Sequence, residues 1–190
     1  MTEPDPQPHF VPAGYTLSHL LGRGATSLVF LARDPKGREV ALKLPHTENE
    51  NPAAAEMFSN EVRMSLQLRH ANLVQGLDGT PFGEGAFLAL EYLPGGALDT
   101  RLAAGPLPYE QALSLLRDVA LALQYLHGMG AVHQDVKAQN VYLRGQTGVL
   151  GDLGNSFMAG QGARWGAALF IWPQKSTRAA AATVPATFTA

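Results

Sequence analysis

Residues 132–140, VHQDVKAQN, bring a histidine, an aspartate, a lysine and an asparagine together within nine positions. The segments on either side, LQYLHGMGA and VYL, are apolar and have the composition of buried structure. Carboxylate and amide oxygens can bind a metal ion, and an ammonium group can neutralise a phosphate. What a loop with these groups between two buried segments does depends on what else the chain contains.

Three other polar residues stand in apolar or glycine-rich surroundings. Lys43 is the only charge in the strand-like segment VALK, and it could be an edge lysine facing water or a cation directed at a phosphate. Glu61 lies close to the apolar face of a predicted helix, where it could orient that lysine or simply face solvent. Asp152, in GDLG directly after an apolar run, could be a turn residue or a ligand of Mg²⁺, which prefers carboxylate and phosphate oxygens.

The segment LGRGATSLV, residues 21–29, has two glycines between strand-like runs. Glycine lets a backbone fold closely over phosphate groups, although a glycine-rich hairpin is more often only a turn. Taken singly, each of these features favours the structural explanation. Only their combination, in one order and at fixed spacings, indicates a common function.

The elements that must position these residues are predicted by the same sequence. Residues 15–44 contain three strand-like runs, YTLSHLLG, SLVFLAR and REVALKL, with the turn DPKG between the last two, so we expect three antiparallel strands. NLVQGL and AFLALEYL predict two more short strands, separated by glycines and a proline. Residues 53–69 predict a helix. The expected apolar face of that helix comprises Met57, Phe58, Val62, Ser65 and Leu66.

Residues 108–127 have the strongest helical pattern in the chain, and two glycines end it. Its expected core-facing stripe is Leu113, Leu116, Ala120, Leu123 and Leu126. VYL and VLG then predict a hairpin, and PGG at 94–96 is interpreted as a hinge. The proline-rich residues 1–13 are expected to form a disordered arm, and residues 175–190 an Ala/Thr-rich low-complexity tail.

Composition and charge exclude several classes of function. Hydrophobic residues make up 46% of the chain, enough for a sizeable core, and the formal net charge is −2, which argues against nucleic-acid or anionic-membrane binding. The chain has no cysteine, which excludes disulfides and thiolate metal sites. No apolar run approaches the length of a membrane helix, and the start lacks a secretory pattern, so we expect a cytoplasmic protein.

As a set, these motifs resemble the protein kinase family, in particular its bacterial-like Ser/Thr type. LGRGATSLV is similar to the glycine-rich loop over ATP, VALK to the strand with the phosphate-binding lysine, and FSNE to the helix that supplies its glutamate. HANLV, LEYLPGGAL, HQDVKAQN and DLG are similar to the segment after that helix, the hinge, the catalytic loop and the Asp-Phe-Gly motif. The resemblance runs from about Tyr15 to about Gln174.

The resemblance implies an α+β, bilobal, protein-kinase-like fold. Residues 14–93 would form a β-rich N-lobe with one helix, and residues 94–174 an incomplete, mainly helical C-lobe. It also implies transfer of the γ-phosphate of Mg-ATP to a Ser or Thr hydroxyl of a protein substrate.

The implied catalytic residues have distinct roles. Asp135 would accept the proton of the substrate hydroxyl and Lys137 would steady the γ-phosphate. Lys43 would hold the α- and β-phosphates, with Glu61 fixing its orientation. The implied Mg²⁺ ligands are Asn140 and Asp152.

The implied nucleotide site lies between the glycine-rich loop and the hinge. The backbone of Glu91 and Leu93 would bond the adenine edge, with Leu90 as gatekeeper residue, and His133 would have a structural role. The full implied nucleotide-binding set is Leu21, Gly22, Arg23, Gly24, Ala25, Thr26, Ser27, Val29, Ala41, Lys43, Leu90, Glu91, Leu93 and Tyr142.

Some positions depart from the family pattern. Gln134 replaces an Arg that commonly pairs with a phosphorylated activation loop, so we expect no such switch. Ser65 replaces a larger apolar residue, which predicts a loosely docked helix. GAALFIWPQ at 166–174 aligns with the end of the activation segment, and the few residues after it predict a truncated C-lobe, marginal in stability or completed by a partner chain.

Other functions stay open at this point. The alternatives are a nucleotide-binding pseudokinase or scaffold, an inactive gene fragment and, less favoured, a small-molecule phosphotransferase of the aminoglycoside or choline type.

Overall fold

The structure is a computed structural model that describes residues 8–24, 26–46 and 52–158. Ala25, the first seven residues, the segment aligned with the end of the activation segment and the Ala/Thr-rich tail lie outside the described residues. The expectations that concern them therefore stay predictions.

A five-stranded antiparallel sheet forms the first half of the described chain. The sheet has the strand order β1-β2-β3-β5-β4, so the predicted three-stranded unit is extended by two strands. The buried turn residue Asp34 accepts the backbone N–H groups of Lys36 and Arg38, and Gly37 has a φ of 76°, as the DPKG turn predicts. The strands are β1 (Thr16–Arg23), β2 (Ser27–Arg33), β3 (Glu39–Pro45), β4 (Gly76–Thr80) and β5 (Phe87–Glu91).

Strand β4 begins later than the sequence pattern predicts. It includes Gly79, which we expected to interrupt the strand. A Cβ at this position would lie 2.9 Å from the Phe87 carbonyl oxygen and 3.0 Å from a Val62 methyl group. Gly79 is therefore a close-packing position under the neighbouring helix.

Helix α1 (Pro52–Gln67) packs on this sheet through Phe58 and Val62, which join Ala86 and Leu88 in one apolar cluster. The predicted apolar face is correct except at its start, since Met57 is 39% exposed. The buried face also includes a charged residue next to the predicted apolar face, since Glu61 is only 4% exposed. A buried carboxylate on a packed helix requires a partner.

The end of α1 lies very close to β4. The carbonyl group of Ser65 occupies the place that a side chain on Gly76 would need, and Ser65 itself is buried. Two small residues thus allow backbone-to-backbone contact. The expectation that a serine at position 65 would leave the helix loosely docked is wrong for this reason.

The second half of the described chain consists of helices and short strand pairs. Strands β7 and β8 form the predicted hairpin, and β6 pairs with β9. A single 3₁₀ turn, Ala138–Asn140, precedes β7. The remaining elements are α2 (Leu98–Ala103), α3 (Tyr109–Gly128), β6 (Ala131–Val132), β7 (Val141–Arg144), β8 (Thr147–Leu150) and β9 (Phe157–Met158).

The buried face of α3 agrees with the predicted stripe only near its end, where Leu126 is buried and Leu123 packs against the core. Leu116 is 66% exposed and Leu113 is 43% exposed, whereas Leu115, Ala122 and Leu126 are buried. Leu115 lies against Gly148 of β8, where a Cβ would be only 3.3 Å away, so contact with the hairpin selects the face. Both faces of α3 are rich in leucine, and the helical period alone could not choose between them.

An apolar cluster joins the two halves of the structure. It combines residues from the end of α1 with residues from α3, the hairpin and the segment after β8: Met64, Leu68, Leu73, Ala122, Leu126, Ala131, Val141, Leu150 and Leu153. Within the described ranges, no helix combines the length and the hydropathy needed to cross a lipid bilayer.

Candidate functional site

Lys43 and Glu61 form a buried ion pair between β3 and α1. Lys43 lies on the central strand of the sheet, and its Nζ donates to both carboxylate oxygens of Glu61 at 2.7 Å. The side chains are 15% and 5% exposed, respectively. This geometry rules out an edge lysine facing water and a solvated helix glutamate.

Burial and charge act in opposite directions on this pair. Burial alone would lower the pKa of Lys43, but the carboxylates of Glu61 and Asp152 raise it above its ordinary value. Burial raises the pKa of Glu61, and Lys43 opposes that rise. Lys43 is therefore firmly cationic at neutral pH.

Asp152 lies on the other side of the same ammonium group. Its Oδ1 is 3.7 Å from Lys43 Nζ, and its side chain is 35% exposed. The backbone of Asp152 has a φ of 61°, which is uncommon for a residue with a side chain. A Cβ on Gly151, which precedes Asp152, would lie 2.9 Å from the Tyr142 ring. A side chain at position 151 would therefore collide with that ring, and glycine avoids the collision.

A second polar cluster surrounds the carboxylate of Asp135. One oxygen, Oδ2, accepts hydrogen bonds from Lys137 Nζ at 2.7 Å, Asn140 Nδ2 at 3.1 Å and Asn155 Nδ2 at 3.4 Å. Asn140 also donates to the backbone carbonyl of Asp135 at 2.8 Å. The hydrogen bond to Lys137 lowers the pKa of Asp135 below its ordinary value, with a further contribution from Asn140. Asp135 is therefore ionised at neutral pH.

The two clusters are joined through the backbone. The Gly151 N–H donates to the Asn140 carbonyl oxygen at 2.8 Å, immediately before Asp152. Lys43, Asp152, Asn140 and Asp135 thus belong to one connected group of contacts.

His133 is buried beneath this group and is held by two backbone contacts. The Asp135 N–H donates to Nδ1 at 3.3 Å, so Nε2 is the protonated nitrogen that donates to the Gly151 carbonyl at 3.0 Å. Burial lowers the pKa of His133, which favours the neutral ring. A fully bonded, neutral imidazole orients its neighbours and is not available for proton transfer.

The His133 environment predicts a pH effect on stability. The pKa of His133 in the folded protein is lower than the ordinary 6.5, so the unfolded chain binds more protons as the pH drops below 6.5. The free energy of unfolding should therefore decrease over that range. We expect urea unfolding at about pH 5.5 and about pH 7.5 to show a smaller pH-dependent loss in His133→Gln than in the unchanged protein. Equal losses in the two proteins would assign the effect to other groups.

The glycine-rich loop joins β1 to β2. The Gly24 N–H donates to the Ser27 carbonyl at 2.8 Å, and His46 Nε2 lies 3.0 Å from the Gly24 carbonyl. Neither Gly22 nor Gly24 has a positive φ, and a Cβ on Gly22 would meet nothing within 4 Å. Neither fold packing nor backbone conformation therefore explains these glycines. Leu21 and Arg23 are exposed, Thr26 is half-buried, and Ser27 is buried in β2.

The expected adenine-contacting residues lie on β2, β3 and β5 of the sheet, on the β7–β8 hairpin and in the segment after β5. Ala41 is paired with Leu90 between β3 and β5, and Val29 is paired with Lys43 between β2 and β3. Tyr142 lies on the hairpin, next to Gly151. The side chains of Val29, Ala41, Leu90 and Tyr142 are half-buried. Leu93 is buried, just before the segment interpreted as the hinge.

Several contributing residues were missed by sequence reasoning. Asn155 contacts the Asp135 carboxylate, and Asn60, next to Glu61, donates to the Ser156 carbonyl at 2.6 Å. Arg144 bonds Glu91 at 2.6 Å and the Ala71 carbonyl at 2.9 Å, joining the hairpin to the hinge strand. Their only sequence signal is proximity to the motifs, which does not specify a partner.

Two depressions on the surface include none of the charged residues Lys43, Glu61, Asp135 and Asp152. One, of about 440 Å³, lies behind the hinge and is lined by Arg69, Gln75, Glu91 and Arg144 among others. The other, of about 710 Å³, lies between the start of α1 and the β4–β5 connection. The candidate site is therefore identified by convergent polar side chains.

A sheet covered by one helix is joined to a mainly helical second half, and the charged groups lie between them; this arrangement is typical of the two-lobed fold class of the kinases. The family model for the protein kinase domain matches residues 15–167, and the chain belongs to that family. The chain is 34% identical over 140 residues to the serine/threonine-protein kinase pkn2 of Myxococcus xanthus. The alignment covers 70% of this chain and 17% of that relative, so this chain matches only a small part of the relative's length.

Proposed function

We propose that this chain is a Ser/Thr protein kinase domain that transfers the γ-phosphate of ATP to a protein hydroxyl. The observation that best supports the proposal is the contact of one buried ammonium group, Lys43, with Glu61 at 2.7 Å and with Asp152 at 3.7 Å. A cation held by one buried carboxylate and facing a second, partly exposed one is suited to triphosphate binding.

Hydrogen bonding at the hinge supports adenine binding. The Glu91 N–H already donates to the Gln75 carbonyl at 2.9 Å, and the Leu93 carbonyl accepts from Gly96 at 3.0 Å. We propose that Glu91 offers its carbonyl and Leu93 its N–H to the adenine edge. An acceptor and a donor at this spacing complement the amino group and ring nitrogen of adenine.

Asn140 and Asp152 fit the proposed role in Mg²⁺ binding. The Asn140 amide donates two hydrogen bonds through Nδ2, to the backbone carbonyl and to the carboxylate of Asp135, and its oxygen is the atom suited to a cation. In the described part of the chain, no group of three or more acidic, histidine or cysteine side chains could hold a metal. A site with two proposed protein ligands, Asn140 and Asp152, fits Mg²⁺, whose other ligands are phosphate oxygens and water. When bound, Mg²⁺ would neutralise charge on the phosphates.

Asp135 and Lys137 are proposed to act on the acceptor side. Because three donors lie on Oδ2 of Asp135, the other oxygen, Oδ1, is the proposed acceptor of the substrate hydroxyl proton. Lys137 keeps Asp135 ionised, and its own pKa is raised by Asp135, so it remains a cation beside the transferred phosphate. The residues between β1 and β2 are proposed to cover the phosphates.

The division into two lobes at residues 93–94 belongs to the same proposal. So does a cytoplasmic location, because ATP is the proposed phosphate donor. A nucleotide-binding scaffold without transfer is the second candidate, and activity distinguishes the two.

The test is a Mg²⁺-dependent thermal shift with ATP, followed by labelling of a generic basic protein. At 100-fold excess over Kd, ligand binding contributes about 2.7 kcal/mol, or about 5–10 °C for a domain of this size. We expect Asp152→Asn to abolish the dependence of this shift on Mg²⁺, because an amide is a poorer Mg²⁺ ligand than a carboxylate.

The matched control is Glu110→Gln, which removes a carboxylate from the exposed start of α3 and should leave the Mg²⁺ response unchanged. The same Mg²⁺ response in Asp152→Asn as in the unchanged protein would remove Asp152 from the metal site. Binding without any labelling would favour the scaffold.

A further inference from the structure

A hydrogen bond joins α1 to the segment that follows Asp152. Asn60 precedes Glu61 on the helix, and its Nδ2 donates to the Ser156 carbonyl oxygen at 2.6 Å across 96 positions of sequence. Asn60 is half-buried and Ser156 is 4% exposed. The bond is thus short and shielded, and it connects the Glu61-bearing helix to residues four positions past Asp152.

Ser156 is itself attached to the catalytic loop. Its hydroxyl donates to the His133 carbonyl at 3.3 Å, and its N–H donates to the Leu153 carbonyl at 3.0 Å. The next residue, Phe157, pairs with Val132 in the β6–β9 ladder. A continuous series of bonds therefore runs from α1 through Ser156 to the residues just before Asp135.

Apolar packing also contributes to the contact between α1 and the second half of the described chain. Met64 and Leu68 enter the cluster that includes Leu153, and apolar packing has no directional preference. A hydrogen bond does have one, so the bond from Asn60 favours one rotation of α1 about its axis, in addition to the packing of α1 on the sheet. Since Glu61 is the neighbouring residue, that rotation decides whether its carboxylate faces Lys43.

We propose that Asn60 is a positioning residue for the phosphotransfer site. Through Ser156, it holds Glu61 against Lys43 only when the segment after Asp152 is docked on the catalytic loop. The inference rests on the proposed function for its kinetic consequence, while the structural coupling itself can be measured without activity. Gln134, which is neutral, makes a charge-based coupling through that position unavailable.

The test uses Asn60→Asp, which is nearly isosteric and sets a carboxylate oxygen against the Ser156 carbonyl. The control, Gln67→Glu, makes the same amide-to-acid change on the exposed side of the same helix. Hydrogen exchange without nucleotide is expected to become about tenfold faster in Asn60→Asp, both in α1 and in residues 153–158, and to stay unchanged in the control. Asn60→Ala, which removes the donor without adding a charge, should give the same pattern if Asn60→Asp does not fold.

Kinetics supply a second measurement. We expect kcat to fall about tenfold in Asn60→Asp and KM for the protein substrate to change little. Faster exchange confined to one of the two segments, or equal behaviour of Asn60→Asp and Gln67→Glu, would overturn the coupling. If the unchanged protein binds no Mg-ATP, the proposed function fails, and the exchange experiment still reports on the bond.

Discussion

Lys43→Met is expected to abolish the measurable binding of Mg-ATP, a loss of at least about 100-fold in affinity. The substitution removes the buried cation that faces Asp152 and leaves Glu61, only 4% exposed, without its partner. Removing one member of a buried ion pair typically costs about 3–5 kcal/mol. The cost should fall near the lower end, because burial already raises the pKa of Glu61 and favours its neutral form.

Affinity and stability can be separated by a second substitution. Isothermal titration measures ATP binding, and urea unfolding measures the free energy of unfolding. Adding Glu61→Gln to Lys43→Met should recover most of the lost stability, since no unpaired charge remains, and none of the binding. Retained ATP affinity in Lys43→Met would mean that the phosphates bind elsewhere.

Asp135→Asn is expected to abolish phosphate transfer while leaving Mg-ATP binding nearly unchanged. An amide cannot accept the hydroxyl proton, and loss of a general base typically reduces the rate by about 10²–10⁴-fold. The nucleotide contacts proposed here belong to other residues, so the Kd for Mg-ATP should stay within about threefold, which is less than 1 kcal/mol.

Single-turnover transfer and equilibrium binding are the two measurements. Glu84→Gln, on the exposed β4–β5 connection, is the matched control and should leave both unchanged. Transfer at the normal rate by Asp135→Asn would exclude Asp135 as the base. Loss of both transfer and binding would show that this carboxylate also holds the site together.

Local pattern predicts most of the elements near the site. The strands that contain Val29 and Lys43 alternate clearly between buried and more exposed residues, and the DPKG turn fixes their register. The order of motifs then predicts that Lys43, Asp135, Asn140 and Asp152 should converge, and the contacts around Asn140 and Gly151 connect them.

The errors arise where a choice depends on a distant partner. Leu113 and Leu116 fit a helical stripe as well as Leu115 does, and only the position of β8 decides between them. Ser65 suggests loose docking until it is paired with Gly76. The bond between Asn60 and Ser156 spans too much sequence for any local pattern to indicate it.

The hinge has one further property, set by Gly95. The Leu143 carbonyl of β7 lies where a side chain at position 95 would be. The segment 94–96 therefore packs directly on the main chain of β7. Contacts between main-chain atoms cannot relax by a change of side-chain rotamer. Tyr142, an expected adenine-contacting residue, precedes Leu143 on β7 and is therefore held at the same height. An inhibitor designed for the proposed nucleotide site would therefore find the backbone beside residues 94–96 fixed in position. Its selectivity would depend on the side of the site near Leu90, the proposed gatekeeper.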